Sequence, residues 1–175
     1  MKGVKHLHQL AVLGWASRNW YGWAQSAIYR EAYESGWCCD RFAAVLALLS
    51  PRVQVGRNWS LARQYMQGED LKGILPNVRA SLRHWEKTGH IRGPKTSAFN
   101  RALLGDSTAL VLDSWMAAAL GVSPRKVTTK KNMAKALRRM LVVADKCQLS
   151  VAETQAAVWA GVQIKAGLTP ALLGE

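Results

Sequence analysis

The chain has 175 residues, 49% of them hydrophobic, which predicts one compact unit with a substantial apolar core and excludes a disordered chain. Lysine and arginine outnumber aspartate and glutamate by 24 to 11, for a formal net charge of +13. This excess favours a polyanionic partner, nucleic acid first and an anionic membrane surface second. The sequence contains no run of about 18 apolar residues, so we expect no membrane-spanning segment.

Apolar residues recur at helical spacing along most of the chain, and alternating or long β-branched runs are nearly absent. The sequence therefore predicts an all-α protein. The first two predicted helices span 4–18 and 20–35, and Gly36 ends the second. Asp40 is predicted to cap a strongly apolar helix, RFAAVLALLS, which Pro51 closes.

Further helices are predicted at 57–67, from Pro76 to Gly89, near 94–104 and near 113–120. Ser150 and Glu153 form a predicted capping box at the start of the final helix. One stripe of that helix is expected to face the core, and its residues are Val151, Gln155, Val158, Trp159 and Val162.

Tryptophan is unusually frequent, with eight residues in the chain. Most tryptophans fall at helical spacing, which predicts core positions. Trp20 and Trp59 flank polar residues instead, and they are candidates to line a cleft.

Cysteine and histidine do not form a metal or disulfide motif in this sequence. Cys38 and Cys39 are adjacent, Cys147 is alone, and the four histidines match no zinc-binding pattern. We expect reduced thiols in a cytoplasmic protein, with neither a metal nor another cofactor.

Two polar stretches are candidate binding surfaces. The loop at 50–59 carries Arg52, Gln54, Arg57 and Asn58, which either contact a ligand or are simply solvated. Residues 125–139 contain seven basic side chains and no acid, which favours contact with phosphates over a solvated helix face. These seven are Arg125, Lys126, Lys130, Lys131, Lys135, Arg138 and Arg139.

A single carboxylate, Asp113, lies in the apolar sequence LVLDSWM. An acid in such surroundings is costly to desolvate unless it caps a helix or takes part in chemistry. Both interpretations are open, and they are compatible. As a cap, Asp113 would accept a hydrogen bond from the backbone amide of Trp115 or Met116.

Two separated segments resemble the helix-hairpin-helix DNA glycosylases, the superfamily that includes endonuclease III. FAAVLALLSPRVQVGRNWSLARQYM is similar to the family's apolar helix and the DNA-penetrating loop after it, and LVLDSWM is similar to the segment with the catalytic aspartate. Lys95 precedes Asp113 by 18 positions, the spacing of the nucleophilic lysine in bifunctional members. The phrases GPKTSAF, LLGD and ETQAAVW also look like small phage-encoded relatives, and the similarity covers roughly residues 38–165.

This resemblance implies a single two-lobed unit over 1–175, with one lobe from 1–37 plus 125–175, the other from 38–124, and a cleft between them. It implies that Asp113 is a catalytic carboxylate, Lys95 a candidate amine nucleophile, and Arg52 and Gln54 part of a loop that enters DNA. The free amides at Gly93 and Thr96, with Arg92 beside them, would bind a phosphate at a helix start.

The family pattern is incomplete here. Before Lys95 the chain reads Gly89-His90-Ile91-Arg92-Gly93-Pro94, so the usual hairpin is degenerate, and Trp115 stands where the family often has histidine. The four-cysteine iron–sulfur motif of some members is absent.

The expected partner is double-stranded DNA with a damaged or modified base, and no obligate protein partner is expected. The leading hypothesis is a base-flipping N-glycosylase with a possible lyase activity. Alternatives are a phage protein that modifies or recognises bases without excision, and a non-enzymatic DNA-binding protein.

Overall fold

The structure is a computed structural model, and it describes residues 1–170. These residues form ten α-helices, a short 3-10 helix at Trp15–Ser17, and no β-strand. The prediction of an all-α protein is therefore confirmed. The helices are α1 (Val4–Leu13), α2 (Trp20–Ser35), α3 (Cys39–Leu49), α4 (Val55–Met66), α5 (Pro76–Thr88), α6 (Pro94–Leu103), α7 (Ser114–Leu120), α8 (Pro124–Val127), α9 (Lys130–Cys147) and α10 (Val151–Lys165).

Several helix ends follow the predicted local signals. Gly36 ends α2 and Gly89 ends α5, both with left-handed backbone conformations. The capping box of α10 is formed, since Ser150 Oγ accepts from the Glu153 amide and Glu153 Oε2 accepts from the Ser150 amide. Proline opens α5, and it also opens α6 and α8.

Three boundaries differ from the prediction. The first helix ends at Leu13 because the chain turns at Gly14 into the 3-10 helix. The N-cap of α3 is Cys38, so the prediction of an Asp40 cap is wrong. Asp40 lies in the first turn, where its negative charge interacts favourably with the positive end of the helix dipole. Helix α4 begins at Val55, two residues before its predicted start at 57, so Arg57 and Asn58 are helical and the polar loop is shorter than 50–59.

The core consists of two clusters of buried apolar side chains. The first cluster contains residues of α2 to α6, and the second contains residues of α1, α7, α8 and α9. Helix α10 contributes to both, with Ala152 and Ala156 in the first cluster and Ala157 and Val158 in the second. Two clusters thus share one central helix.

Helix α10 is buried on nearly all sides, so the prediction of a single core-facing stripe was too narrow. A helix that is apolar around its whole circumference belongs in a protein interior. Its closest neighbour is α1, where Gly161 faces the backbone of Leu10 and Gly14 faces the backbone of Ala157. Side chains at these glycines would occupy the space that the partner backbone fills.

The division into two lobes stays a prediction. The two core clusters, however, assign α2 and α7 to groups that differ from the predicted lobes. Helix α2 packs in the first cluster with the central segment, although the prediction assigned it to the terminal lobe. Helix α7 packs in the second cluster with α1 and α9. Among residues 1–170, no helix is both long enough and apolar enough to cross a bilayer.

Candidate functional site

Asp113 is the N-cap residue of α7, and both of its carboxylate oxygens accept a hydrogen bond. Oδ1 accepts from the backbone amide of Met116 at 2.8 Å, which confirms the predicted cap. Oδ2 accepts from the indole Nε1–H of Trp159 on α10 at 3.0 Å. The carboxylate is therefore fixed in orientation, and since a carboxylate offers about four lone-pair sites, it retains capacity for further donors.

Lys95 lies in the first turn of α6 and is half-buried. Burial lowers the pKa of Lys95 because desolvation disfavours the ammonium form, and the nearby Asp113 carboxylate opposes this shift only in part. Within residues 1–170 its amine forms no ion pair. A lysine with a lowered pKa carries a larger fraction of neutral amine, the form that can attack carbon.

Lys95 and Asp113 both line two connected features of the surface. One is an open cleft of about 1320 Å³, and the other is an inner pocket of about 150 Å³. Ser50, Val53, Val55, Trp59 and Trp159 also line both, so the pocket opens from the cleft. The amine and the carboxylate thus lie where the two spaces meet.

Tyr21 and Gln155 form a buried polar pair in the wall of the inner pocket. The Tyr21 hydroxyl donates to Gln155 Oε1 at 2.7 Å. Desolvation raises the pKa of Tyr21, and the negative charge of Asp113 raises it further, while the bond to Gln155 opposes the shift. Tyr21 is consequently a neutral phenol that holds α2 to α10 beside the site.

The loop between α3 and α4 forms one side of the cleft with Arg52 and Gln54, both exposed. Arg52 has φ of 61°, the left-handed conformation that residues other than glycine adopt infrequently. Such a conformation costs free energy and tends to persist at functional sites. Arg30 and Arg63 also line the cleft, and Arg63 is held there by a bidentate pair with Glu31 at 2.6 and 2.9 Å.

Tryptophans surround this site. Trp23, Trp59, Trp115 and Trp159 line the cleft, and Trp20 lines the inner pocket. The prediction that most tryptophans are core residues holds in a weaker form. Trp20 alone of the eight is buried, while four half-buried tryptophans pack against the core clusters: Trp37, Trp59, Trp85 and Trp159. Trp20 and Trp59 do line a cavity, as the sequence indicated.

Of the other predicted binding residues, only Asn58 reaches the cleft or the inner pocket. Asn58 is buried in the wall of the inner pocket, and Arg57 lies on the exposed side of α4. The residues at the start of α6, Arg92, Gly93 and Thr96, are outside the described lining of both cavities, as are Arg125, Lys126, Lys130 and Lys131. Those four basic residues are exposed on α8 and the start of α9. Gly93 has φ of 88°, a turn that glycine favours.

Sequence reasoning missed Tyr21, Arg30, Arg63 and the role of Trp159. Local patterns carry no signal for them, because each reaches the site through packing between distant helices. In the described part of the chain, histidine, cysteine and acidic side chains form no group of three that could hold a metal ion.

The fold and the site define an all-α protein with an arginine- and tryptophan-lined cleft that opens into a small pocket. The chain belongs to a family of unknown function, DUF7178, whose model matches residues 14–166. This range includes Lys95, Asp113 and every residue that lines the inner pocket. No curated protein and no solved structure matches the chain.

Proposed function

We propose that the protein is a DNA N-glycosylase that turns a base out of the helix and cleaves its N-glycosidic bond. The observation that carries this proposal is the position of Lys95 and Asp113 where the open cleft meets the inner pocket. A base taken out of the stack needs a pocket of its own, and its sugar must remain beside the reacting groups. The resemblance to helix-hairpin-helix glycosylases points the same way.

The walls of the cleft support a nucleic acid as the partner. Arg30, Arg52 and Arg63 offer positive charge to phosphates, and the tryptophans offer faces on which bases stack. The net charge of +13 adds long-range attraction for a polyanion. Arg52 and Gln54, on their exposed loop, are in position to fill the gap that the departing base leaves.

The chemistry assigned to Asp113 is electrostatic and basic. Departure of the base takes the bonding electron pair with it and leaves positive charge on the deoxyribose, which an adjacent carboxylate stabilises. Water then adds to the sugar carbon, its proton passes to Asp113, and the released base gains a proton from solvent. The hydrogen bonds from Met116 and Trp159 hold the carboxylate in place during these steps.

Lys95 offers a second path. Its neutral amine can attack the same sugar carbon in place of water as the base leaves, and the surplus proton on nitrogen passes to Asp113. The C1′–O4′ bond then breaks, the ring oxygen takes up a proton, and a protonated Schiff base forms. Removal of a C2′ proton by a base would expel the 3′ phosphate and break the strand. The lowered pKa of Lys95 supports this assignment because it increases the neutral fraction at neutral pH.

The first prediction is that Asp113→Asn lowers the rate of base release at least about 100-fold. The substrates are duplex oligonucleotides that contain mispaired or modified bases. Asparagine caps helices as well as aspartate does, so the bond to Met116 is retained, although its amide would meet the Trp159 donor. We expect a stability loss of about 1–2 kcal/mol from that mismatch. Asp145→Asn, an exposed change on α9, is the control. Equal activity of Asp113→Asn and the parent would remove Asp113 from the mechanism.

The Lys95 path has its own measurement. Borohydride should trap a covalent protein–DNA adduct with the parent, because it reduces the Schiff base, and should trap none with Lys95→Ala. Base release without any adduct would make the enzyme a simple hydrolase.

Two other functions are distinguished by the same assays. Mass spectrometry of the nucleosides separates loss of a base from modification of a base. The exposed basic side chains of α8 and α9 favour a non-enzymatic DNA-binding protein as second candidate. That candidate predicts tight, salt-sensitive binding that is indifferent to Asp113→Asn.

A further inference from the structure

A carboxylate, Glu31 on α2, lines the same open cleft that we assign to DNA. It lies beside Arg63 of α4, and the two side chains form a bidentate pair with distances of 2.6 and 2.9 Å. The two helices are not consecutive in the chain, and both pack on α3. A negative charge at this place repels a polyanion, so Glu31 would weaken DNA binding if it acted through its charge alone.

The geometry of the pair leaves part of the Arg63 guanidinium free. Arg63 donates from Nε to one oxygen of Glu31 and from Nη2 to the other. A guanidinium has five N–H groups, so five minus two leaves three, two on Nη1 and one on Nη2. Within residues 1–170 these three groups donate to no other protein group. The outer edge formed by Nη1 and Nη2 is a planar fork that matches two oxygens of a phosphate.

The two members of the pair differ in exposure. The Arg63 side chain is 50% exposed, whereas the Glu31 side chain is 20% exposed. The carboxylate is thus largely covered, and a ligand in the cleft has more access to Arg63 than to Glu31. An arginine loses rotamer freedom when it binds a ligand, and a partner that already fixes the side chain reduces that loss.

We propose that Glu31 is a positioning residue for DNA binding, because it holds the Arg63 fork in the cleft for a phosphate of the bound strand. The gain from a fixed bidentate donor exceeds the repulsion from the carboxylate, whose charge is balanced by Arg63 itself. The inference rests on the proposed function in so far as the cleft binds DNA, and it does not depend on base release.

The test measures binding of a fluorescein-labelled duplex oligonucleotide with a central mispair to the full-length protein by fluorescence anisotropy. Glu31→Ala should bind about three- to tenfold more weakly than the parent, although it removes a negative charge. Glu34→Ala is the matched control, since Glu34 is exposed on the same helix, outside the cleft lining, and in no ion pair within residues 1–170. This control should bind as tightly as the parent or slightly more tightly.

The Arg63→Ala background separates positioning from a general change in α2. Arg63→Ala alone should weaken binding about tenfold. In that background Glu31 has no guanidinium to hold, so Glu31→Ala should strengthen binding slightly instead of weakening it. An equal loss from Glu31→Ala in both backgrounds would assign the effect to the helix and overturn the inference. Exposed ion pairs contribute little to stability, so we expect every variant to fold, which circular dichroism checks.

Arg63→Lys tests the fork itself. Lysine keeps the positive charge without the planar pair of donors, so this variant should bind DNA more weakly than the parent. Parent affinity in Arg63→Lys, or tighter binding by Glu31→Ala than by the parent, would overturn the inference. The assay involves no bond cleavage. Absence of base release with the expected affinities would therefore contradict the proposed function alone.

Discussion

Lys95 couples the protonation of the candidate site to the stability of the fold. Its pKa in the folded protein lies below the ordinary value of 10.5, so between those two values the unfolded chain binds more protons. Stability that depends on Lys95 is therefore lost as pH falls through the folded pKa and is fully present above about 10.5. The second prediction is that the free energy of unfolding of the parent, relative to Lys95→Met, rises with pH up to that value.

Urea unfolding of both proteins from pH 7 to pH 11 measures this difference. Lys126→Met, on the exposed surface of α8, controls for the general effect of removing a lysine. A difference between parent and Lys95→Met that falls with pH would mean that Lys95 gains charge stabilisation on folding.

Arg52 combines an unfavourable backbone conformation with a position in the cleft. The third prediction is that Arg52→Gly stabilises the fold by up to about 1 kcal/mol, because glycine adopts a positive φ without steric cost, while DNA binding becomes weaker. Unfolding and DNA titration measure the two effects. Gln148→Gly is the control, since Gln148 has φ of 54° at the end of α9 and lies outside the cleft lining. If Arg52→Gly bound DNA as the parent does, Arg52 would have no part in the interface.

At the scale of helices, the crossing of α1 and α10 depends on two glycines. The fourth prediction is that Gly161→Ala costs about 1–3 kcal/mol, because the added methyl group meets the backbone of Leu10 and forces the helices apart. Gly22→Ala is the matched control, since Gly22 lies inside α2 with open space around it. Alanine there should raise the free energy of unfolding by about 0.5–1 kcal/mol.

Thermal or urea unfolding decides this comparison. A neutral Gly161→Ala would mean that the two helices can separate without loss, and that α10 is not held as tightly as its burial indicates. Because Trp159 on α10 positions Asp113, Gly161→Ala should also reduce base release.

At the scale of the whole molecule, two groups of basic side chains are candidates for contact with DNA, one in the cleft and one exposed on α8 and α9. The fifth prediction concerns the triple variant Lys126→Gln, Lys130→Gln, Lys131→Gln. The slope of log affinity against log salt should fall by about one for each lysine that contacts a phosphate. The rate of base release at saturating protein should not change, because these lysines lie outside the cleft lining.

Arg30→Ala, inside the cleft, is the comparison, and there we expect both affinity and release to fall. An unchanged salt slope in the triple variant would show that the basic side chains form a solvated face.

Much of the helical architecture could be read from the chain, because helix formation and capping are local. The apolar periodicity, the prolines that open α5 and α6, Gly36 and Gly89 as helix ends, and the Ser150–Glu153 capping box all act within a few residues. Asp113 as the N-cap of α7 belongs to the same class. Where local signals competed, as at Asp40 and Cys38, the predicted boundary was wrong by a residue or two.

The candidate site depended instead on packing between segments far apart in sequence. Asn58 was predicted at the junction of a polar loop and a helix, and only the packing of α4 places it in the pocket wall. Tyr21 meets Gln155, and Trp159 meets Asp113, only because α10 lies between the two core clusters. Periodicity within one helix does not specify which helices will be its neighbours, and burial of α10 on nearly all sides is a property of the assembled fold.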